Sequence, residues 1–217
     1  MNDILHLRRR LLLLGGLLAV GGVFAARPNF AAADAGEKAH DHDHQHHHHA
    51  AKTEGVKRSE VAYKIPALTL VRQDGTKLAA AQVFDDGRPV ILDFIYTSCT
   101  AVCPVTSQVF HELQEKLGKD REKVHMVSIS IDPEYDTPAR LAEYAKRFGA
   151  KAQWQHYTGT SQASVSLQKA FDVYRGDKMN HAPVTLLRAA PGKPWVRLDG
   201  FATPDMLAKE YRELVKG

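Results

Sequence analysis

Cys99 and Cys103 are the only two thiols in the 217-residue chain, and both lie in the stretch "DFIYTSCTAVCPVTSQVF". Their C-x-x-x-C spacing is one residue longer than the redox C-x-x-C and fits no zinc-finger pattern. Cys99 follows a continuous apolar run, and Cys103 stands directly before Pro104 at a helix start. A thiol at a helix N-terminus feels the positive end of the macrodipole, which lowers its pKa below the free value of about 8.5. The thiolate is the form that binds metal or attacks a disulfide. A structural disulfide is the plain alternative, but a bridge closing so short a loop removes little chain entropy. The longer loop instead leaves room for both sulfurs to face one ion. Two thiolates alone leave a soft metal under-coordinated, so a third ligand is to be sought. Sulfur favours Cu(I), and imidazole accepts Cu(II) as well.

Histidines are the natural candidates for that third ligand. Four follow the first strand signal: His111, His125, His156 and His181. His111 falls on the polar side of a helix and is expected in solvent. His125 and His156 lie in or beside strands and are expected to be hydrogen-bonded structural residues. His181 directly precedes a strand and is the candidate ligand. Asp132, in "SIDPEYDTP", ends a strand near the same face. It could orient His181 or simply fix the turn before Pro133, whereas Asp136 reads as part of a helix cap. A separate tract, "HDHDHQHHHH", supplies His40, His42, His44, His46, His47, His48 and His49. Such a tract binds Cu(II), Zn(II) or Ni(II) with little selectivity, and is expected to capture metal for the Cys/His site; a solvated linker is the bland alternative.

The elements that must position these residues begin after an export signal. Arg8, Arg9 and Arg10 precede the uncharged apolar run Leu11 to Ala26, with small-residue sites near Ala33 and Ala35. Residues 1–35 are therefore read as a signal peptide or N-terminal anchor, residues 36–60 as a His-rich flexible linker, and residues 61–217 as the folded domain. Export implies a periplasmic or extracytoplasmic location, with residues 11–26 as an optional tether to the inner membrane. Four of the 29 Lys/Arg and two of the 25 Asp/Glu belong to residues 1–35, leaving a formal +2 on the remainder. That balance carries no nucleic-acid footprint.

Within the domain, "ALTLVRQDGTKL" reads as a hairpin turning at Asp74-Gly75, and "RPVILDFIY" as a strand buried on both faces. From Pro104 a helix places Val105, Val109, Leu113 and Leu117 on one face. "KVHMVSISID" is a second buried strand, and "DTPARLAEYAKRFG" a helix capped by Thr137 with Pro138 at its first position. "SQASVSLQKAFDVY" is a further helix; "PVTLLRA" and "WVRLDGF" pair around Pro191-Gly192; a last helix starts at Thr203-Pro204. Buried strands alternating with helices argue α/β, and the late hairpin with its final helix suits a thioredoxin-like fold: a central mixed sheet flanked by helices, with an N-terminal hairpin.

"FIYTSCTAVCP", "VSISIDPEYDTPARLAEYAKRFGA" and "NHAPVTLL" together resemble the SCO/SenC family of copper-delivery proteins. The resemblance runs roughly from Ile65 to Leu214. It implies a metallochaperone that binds copper, as Cu(I) or Cu(II), through Cys99, Cys103 and His181. It further implies a copper-accepting subunit of cytochrome c oxidase and a thiol reductant as partners. One feature departs from the family pattern: Ala182-Pro183 directly after His181. A proline there is similar to the cis-proline beside the disulfide of thioredoxins. It leads to the expectation that Ala182-Pro183 is cis and that Pro183 flanks the cysteine loop. It also keeps open a thiol–disulfide oxidoreductase using Cys99 and Cys103 as a redox pair. A thiol peroxidase is a third, less favoured option.

Overall fold

The computed structural model describes residues 55–216. The strand "VILDFI" forms β4 (Val90–Ile95), with every residue buried. It lies inside an eight-stranded sheet with the order β1-β8-β7-β4-β5-β6-β2-β3. The other strands are β1 (Lys57–Val61), β2 (Thr69–Arg72), β3 (Lys77–Ala79), β5 (His125–Ser130), β6 (Trp154–Thr158), β7 (Val184–Arg188) and β8 (Trp195–Asp199). β4, β5 and β6 pair in parallel and the remaining neighbours antiparallel, so the sheet is mixed, as the sequence suggested. Parallel strands must be joined by crossovers, and here these are helices: α2 (Val102–Leu117) joins β4 to β5, and α3 (Pro138–Arg147) joins β5 to β6.

The two sheet faces carry separate cores. Leu92, Phe94, Val127 and Ile129 pack with residues of α1 (Ala80–Phe84) and α4 (Ser161–Ala170). Ile91, Met126 and Trp154 pack with Phe110 and Leu113 of α2 and with Leu207 and Tyr211 of α5 (Pro204–Leu214). A third, smaller cluster gathers Ile95, Tyr96, Cys99, Cys103, Leu141 and Tyr144 where β4 ends. The thiols thus sit in packed interior at the carboxyl edge of the central strands.

The caps expected at Thr137 and Thr203 are present, and Thr160 supplies a third. Thr137, Thr160 and Thr203 each accept a hydrogen bond from a backbone N–H of the following turn. Several expectations need correction. The ordered chain starts earlier than residue 61, because Lys57–Val61 pairs with β8; a strand this polar is stabilised by its partner, not by its own burial. β6, absent from the expected order, inserts between α3 and α4. The helix after the cysteines starts at Val102, and its inner face is Cys103, Thr106, Ser107, Phe110, Leu113, Gln114 and Leu117. Val105 is 48% exposed. Polar residues can face inward there because each finds a partner: Ser107 meets the Tyr144 hydroxyl at 2.8 Å, and Gln114 donates to the Gly149 carbonyl at 2.8 Å. No helix among the described residues is long and apolar enough to cross a membrane. Residues 11–26 and the histidine tract lie outside the described residues.

Candidate metal centre

Cys99 and Cys103 meet across the N-terminus of α2. Ala101, at the cap position, contributes no side-chain acceptor, so the first N–H groups of the helix need another one. The Cys99 sulfur supplies it, accepting from the Cys103 N–H at 3.4 Å. Both thiols are free and buried, with Cys99 9% and Cys103 0% exposed. Burial alone would raise the Cys99 thiol. The N–H groups of Cys103 and Ala101 and the Tyr96 hydroxyl outweigh it and bring the thiol below its ordinary range. Cys103 behaves oppositely: burial, with Cys99 and Asp93 nearby, pushes its thiol far up. The Cys99 sulfur is therefore the more readily deprotonated of the two.

His181 follows a 3-10 turn at Lys178–Asn180 and leads into β7. One ring nitrogen, Nε2, lies 2.8 Å from the Phe94 carbonyl. A carbonyl only accepts, so Nε2 carries the proton and Nδ1 keeps its lone pair. Burial, with help from Arg175, lowers the pKa and keeps the ring neutral, the form that binds metal. Tyr96 lies beside this imidazole, its ring edge-on to His181 at 6.5 Å between centroids, and packs in one cluster with the two thiols. Among the described residues, no three His, Cys, Asp or Glu side chains are gathered closely enough to hold a metal ion. The structure brings Cys99 and Cys103 together and leaves His181 outside that contact.

The SCO1/SenC family model matches residues 56–216. The chain belongs to the SCO1/SenC family. It is 31% identical over 104 residues to the SCO1 protein homolog of Bacillus subtilis, covering 48% of this chain and 53% of that relative's length. The structure of Bradyrhizobium japonicum ScoI with copper bound superposes with a TM-score of 0.59 at 25% identity, covering 69% of this chain and 98% of that one. A structure of BsSco, a member of the Sco family of cytochrome c oxidase assembly proteins, gives 0.60 at 25% identity, over 72% and 95%. The thioredoxin-like fold is thus that of the Sco structures.

Other residues of this Sco chain fall differently from their sequence reading. Asp132 does not reach His181; its carboxylate pairs with Lys178 at 2.5 Å and so tethers the turn that precedes the histidine. Asp136 is no helix cap. Fully buried, it accepts from the Thr97 N–H at 3.2 Å, the Thr97 hydroxyl at 2.5 Å and the Ser130 hydroxyl at 2.6 Å. It thereby ties the start of the cysteine loop to the end of β5. Ala182–Pro183 is trans, as is every described peptide bond, which overturns the cis expectation. The chain leaves His181 already extended, at φ −63 and ψ 126, and runs into β7 without a reversal. Pro183 is nonetheless two residues from Thr185, which pairs with Asp93.

His111 is half-buried, its Nδ1 3.0 Å from the Phe148 carbonyl, where it ties α2 to the end of α3. His125 meets Gln155 at 3.3 Å, as expected. His156 does not match the expectation: both its nitrogens lack partners. Its ring packs against Trp154 and Tyr144 instead, and burial drops its pKa to about 3, so it stays neutral.

Sequence reasoning passed over Asp93. It shares a sheet face with Ile91 and Ile95 and points toward α2. It is 1% exposed; one oxygen accepts from Ser128 at 2.6 Å and the other has no partner. Burial, only partly offset by that hydrogen bond, raises its carboxyl to about 7. One carboxylate within "VILDFI" is the signal that could have drawn attention to it.

Proposed function

We propose that this chain is an extracytoplasmic copper carrier that takes up the ion through Cys99, Cys103 and His181 and delivers it to a respiratory copper oxidase. The observation that carries this is the donor set at the end of β4. Cys99 is drawn toward the thiolate by helix N–H groups, Cys103 lies beside it, and the neutral His181 keeps its Nδ1 lone pair for metal. Two soft sulfurs and one imidazole suit Cu(I) and tolerate Cu(II). Family membership adds support: one relative's structure holds copper, and another is described as an oxidase assembly protein. Residues 1–35 serve as export signal or tether, and the histidine tract captures metal ahead of the domain. A thiol reductant keeps the two cysteines in the binding form.

A titration of the reduced chain with copper tests the reading, in wild type and in His181→Ala. Stoichiometric tight binding that weakens by at least about tenfold in the variant is expected, the scale on which even an outer partner of a metal ligand is felt. Equal affinity in both removes His181 from the site.

The unequal thiols favour a second reading, thiol–disulfide exchange. The Cys99 thiolate would attack a partner's disulfide, forming a mixed disulfide and releasing one partner thiolate. Cys103, after giving up its proton, would attack the Cys99 sulfur and release the second. The partner is then reduced and the Cys99–Cys103 pair oxidised. Rapid insulin disulfide reduction with weak copper binding would favour it.

A further inference from the structure

Met179 lies in the turn between the Lys178–Asp132 tether and His181, and is 72% exposed, more than any other large apolar side chain described. Its placement is fixed. The Asp177 side chain accepts from the Met179 N–H at 2.9 Å, and Lys178 is held by Asp132. The Met179 sulfur, outermost, lies 3.8 Å from the Tyr96 hydroxyl. The Cys99 N–H donates to the Tyr96 carbonyl at 3.1 Å, the two residues share one packed cluster, and the Tyr96 ring faces His181. Tyr96 thus has the thioether, the Cys99 thiol and the imidazole around it.

Contact with the Tyr96 hydroxyl is one use for this side chain, and it leaves most of Met179 in water. A thioether has a different use. It is soft and neutral, needs no deprotonation, and favours Cu(I) over Cu(II) or Zn(II). We propose that Met179 is an additional Cu(I) ligand, the outer thioether that meets the ion first and stays with it as Cys99, Cys103 and His181 close around it. This rests on the copper reading above. The step is ligand exchange alone: a labile ligand of the incoming Cu(I) leaves, a sulfur lone pair replaces it, and no electron moves.

The test uses the reduced full chain with its methionine methyl groups carbon-13 labelled, titrated anaerobically with Cu(I) and, separately, Cu(II). The chain contains four methionines, of which Met126 is buried and Met206 is half-buried. One equivalent of Cu(I) is expected to move the Met179 methyl resonance and leave those of Met126 and Met206 in place. Met179→Leu, which keeps bulk and apolarity, is expected to lower Cu(I) affinity by at least about tenfold while leaving Cu(II) affinity unchanged. Tight Cu(I) binding with a stationary Met179 resonance, or with equal affinity in Met179→Leu, overturns the ligand and leaves the copper reading standing. An equal loss for both oxidation states reduces Met179 to a packing role and overturns it as well. Failure of the wild-type chain to bind either ion overturns both.

Discussion

Asp93→Asn offers the most direct check on the interior beneath the cysteines. The carboxyl is 1% exposed, lacks a partner on one oxygen, and titrates at about 7 in the fold against 3.8 for the ordinary group. Because the folded pKa is raised, the unfolded chain ionises first as pH rises. Stability is therefore undiminished below the ordinary value, falls between about pH 4 and 7, and is flat above. The full loss is about 4 kcal/mol, an upper bound because relaxation and water entry soften the burial of a charge. Between pH 5 and pH 8 the portion lost is about 2 to 3 kcal/mol. Asparagine cannot ionise, though its amide has a fixed cost where the second oxygen had no partner. That cost cancels when the variant is compared with wild type at two pH values. Urea unfolding of both reduced proteins should therefore show the variant gaining about 2 to 3 kcal/mol on wild type from pH 5 to pH 8. A change under about 0.5 kcal/mol would refute the argument, since Asp93 would then be ionising as though solvated.

Two further outcomes follow from the same neighbourhood. Asp136→Ala leaves the Thr97 and Ser130 donors without their acceptor inside the protein, and should cost about 3 kcal/mol in urea unfolding. Asp136→Asn should recover part of that loss, because its carbonyl oxygen can still accept. Alkylation followed by mass spectrometry should modify Cys99 first, at a half-maximal pH below that of a free thiol. Cys103 should react only on unfolding, consistent with its complete burial and raised pKa; equal rates at the two sites would contradict the asymmetry.

Much of this protein is written in short-range signals. A strand buried on both faces must read as an unbroken apolar run, and β4 does. Threonine before proline marks a helix start because the hydroxyl satisfies an orphan N–H, so α3 and α5 were legible at their first residues. The cysteine pair and His181 stood out because sulfur and imidazole announce their chemistry by type alone. What local pattern could not carry was pairing and facing. β1 and β6 are polar or mixed segments that become strands only because β8 and β5 offer them a ladder. The inner face of α2 was misplaced because Thr106, Ser107 and Gln114 look solvent-seeking until Tyr144 and the end of α3 arrive as partners. Asp136 and Asp93 gained their roles in the same way, one from donors on the cysteine loop and the end of β5, the other from burial between its strand and α2. Sequence alone determined which atoms could bind a soft ion. The tertiary structure decided that Cys99 is the more readily deprotonated sulfur and set Tyr96 against His181, because burial and the direction of a donor exist only once distant segments share one interior.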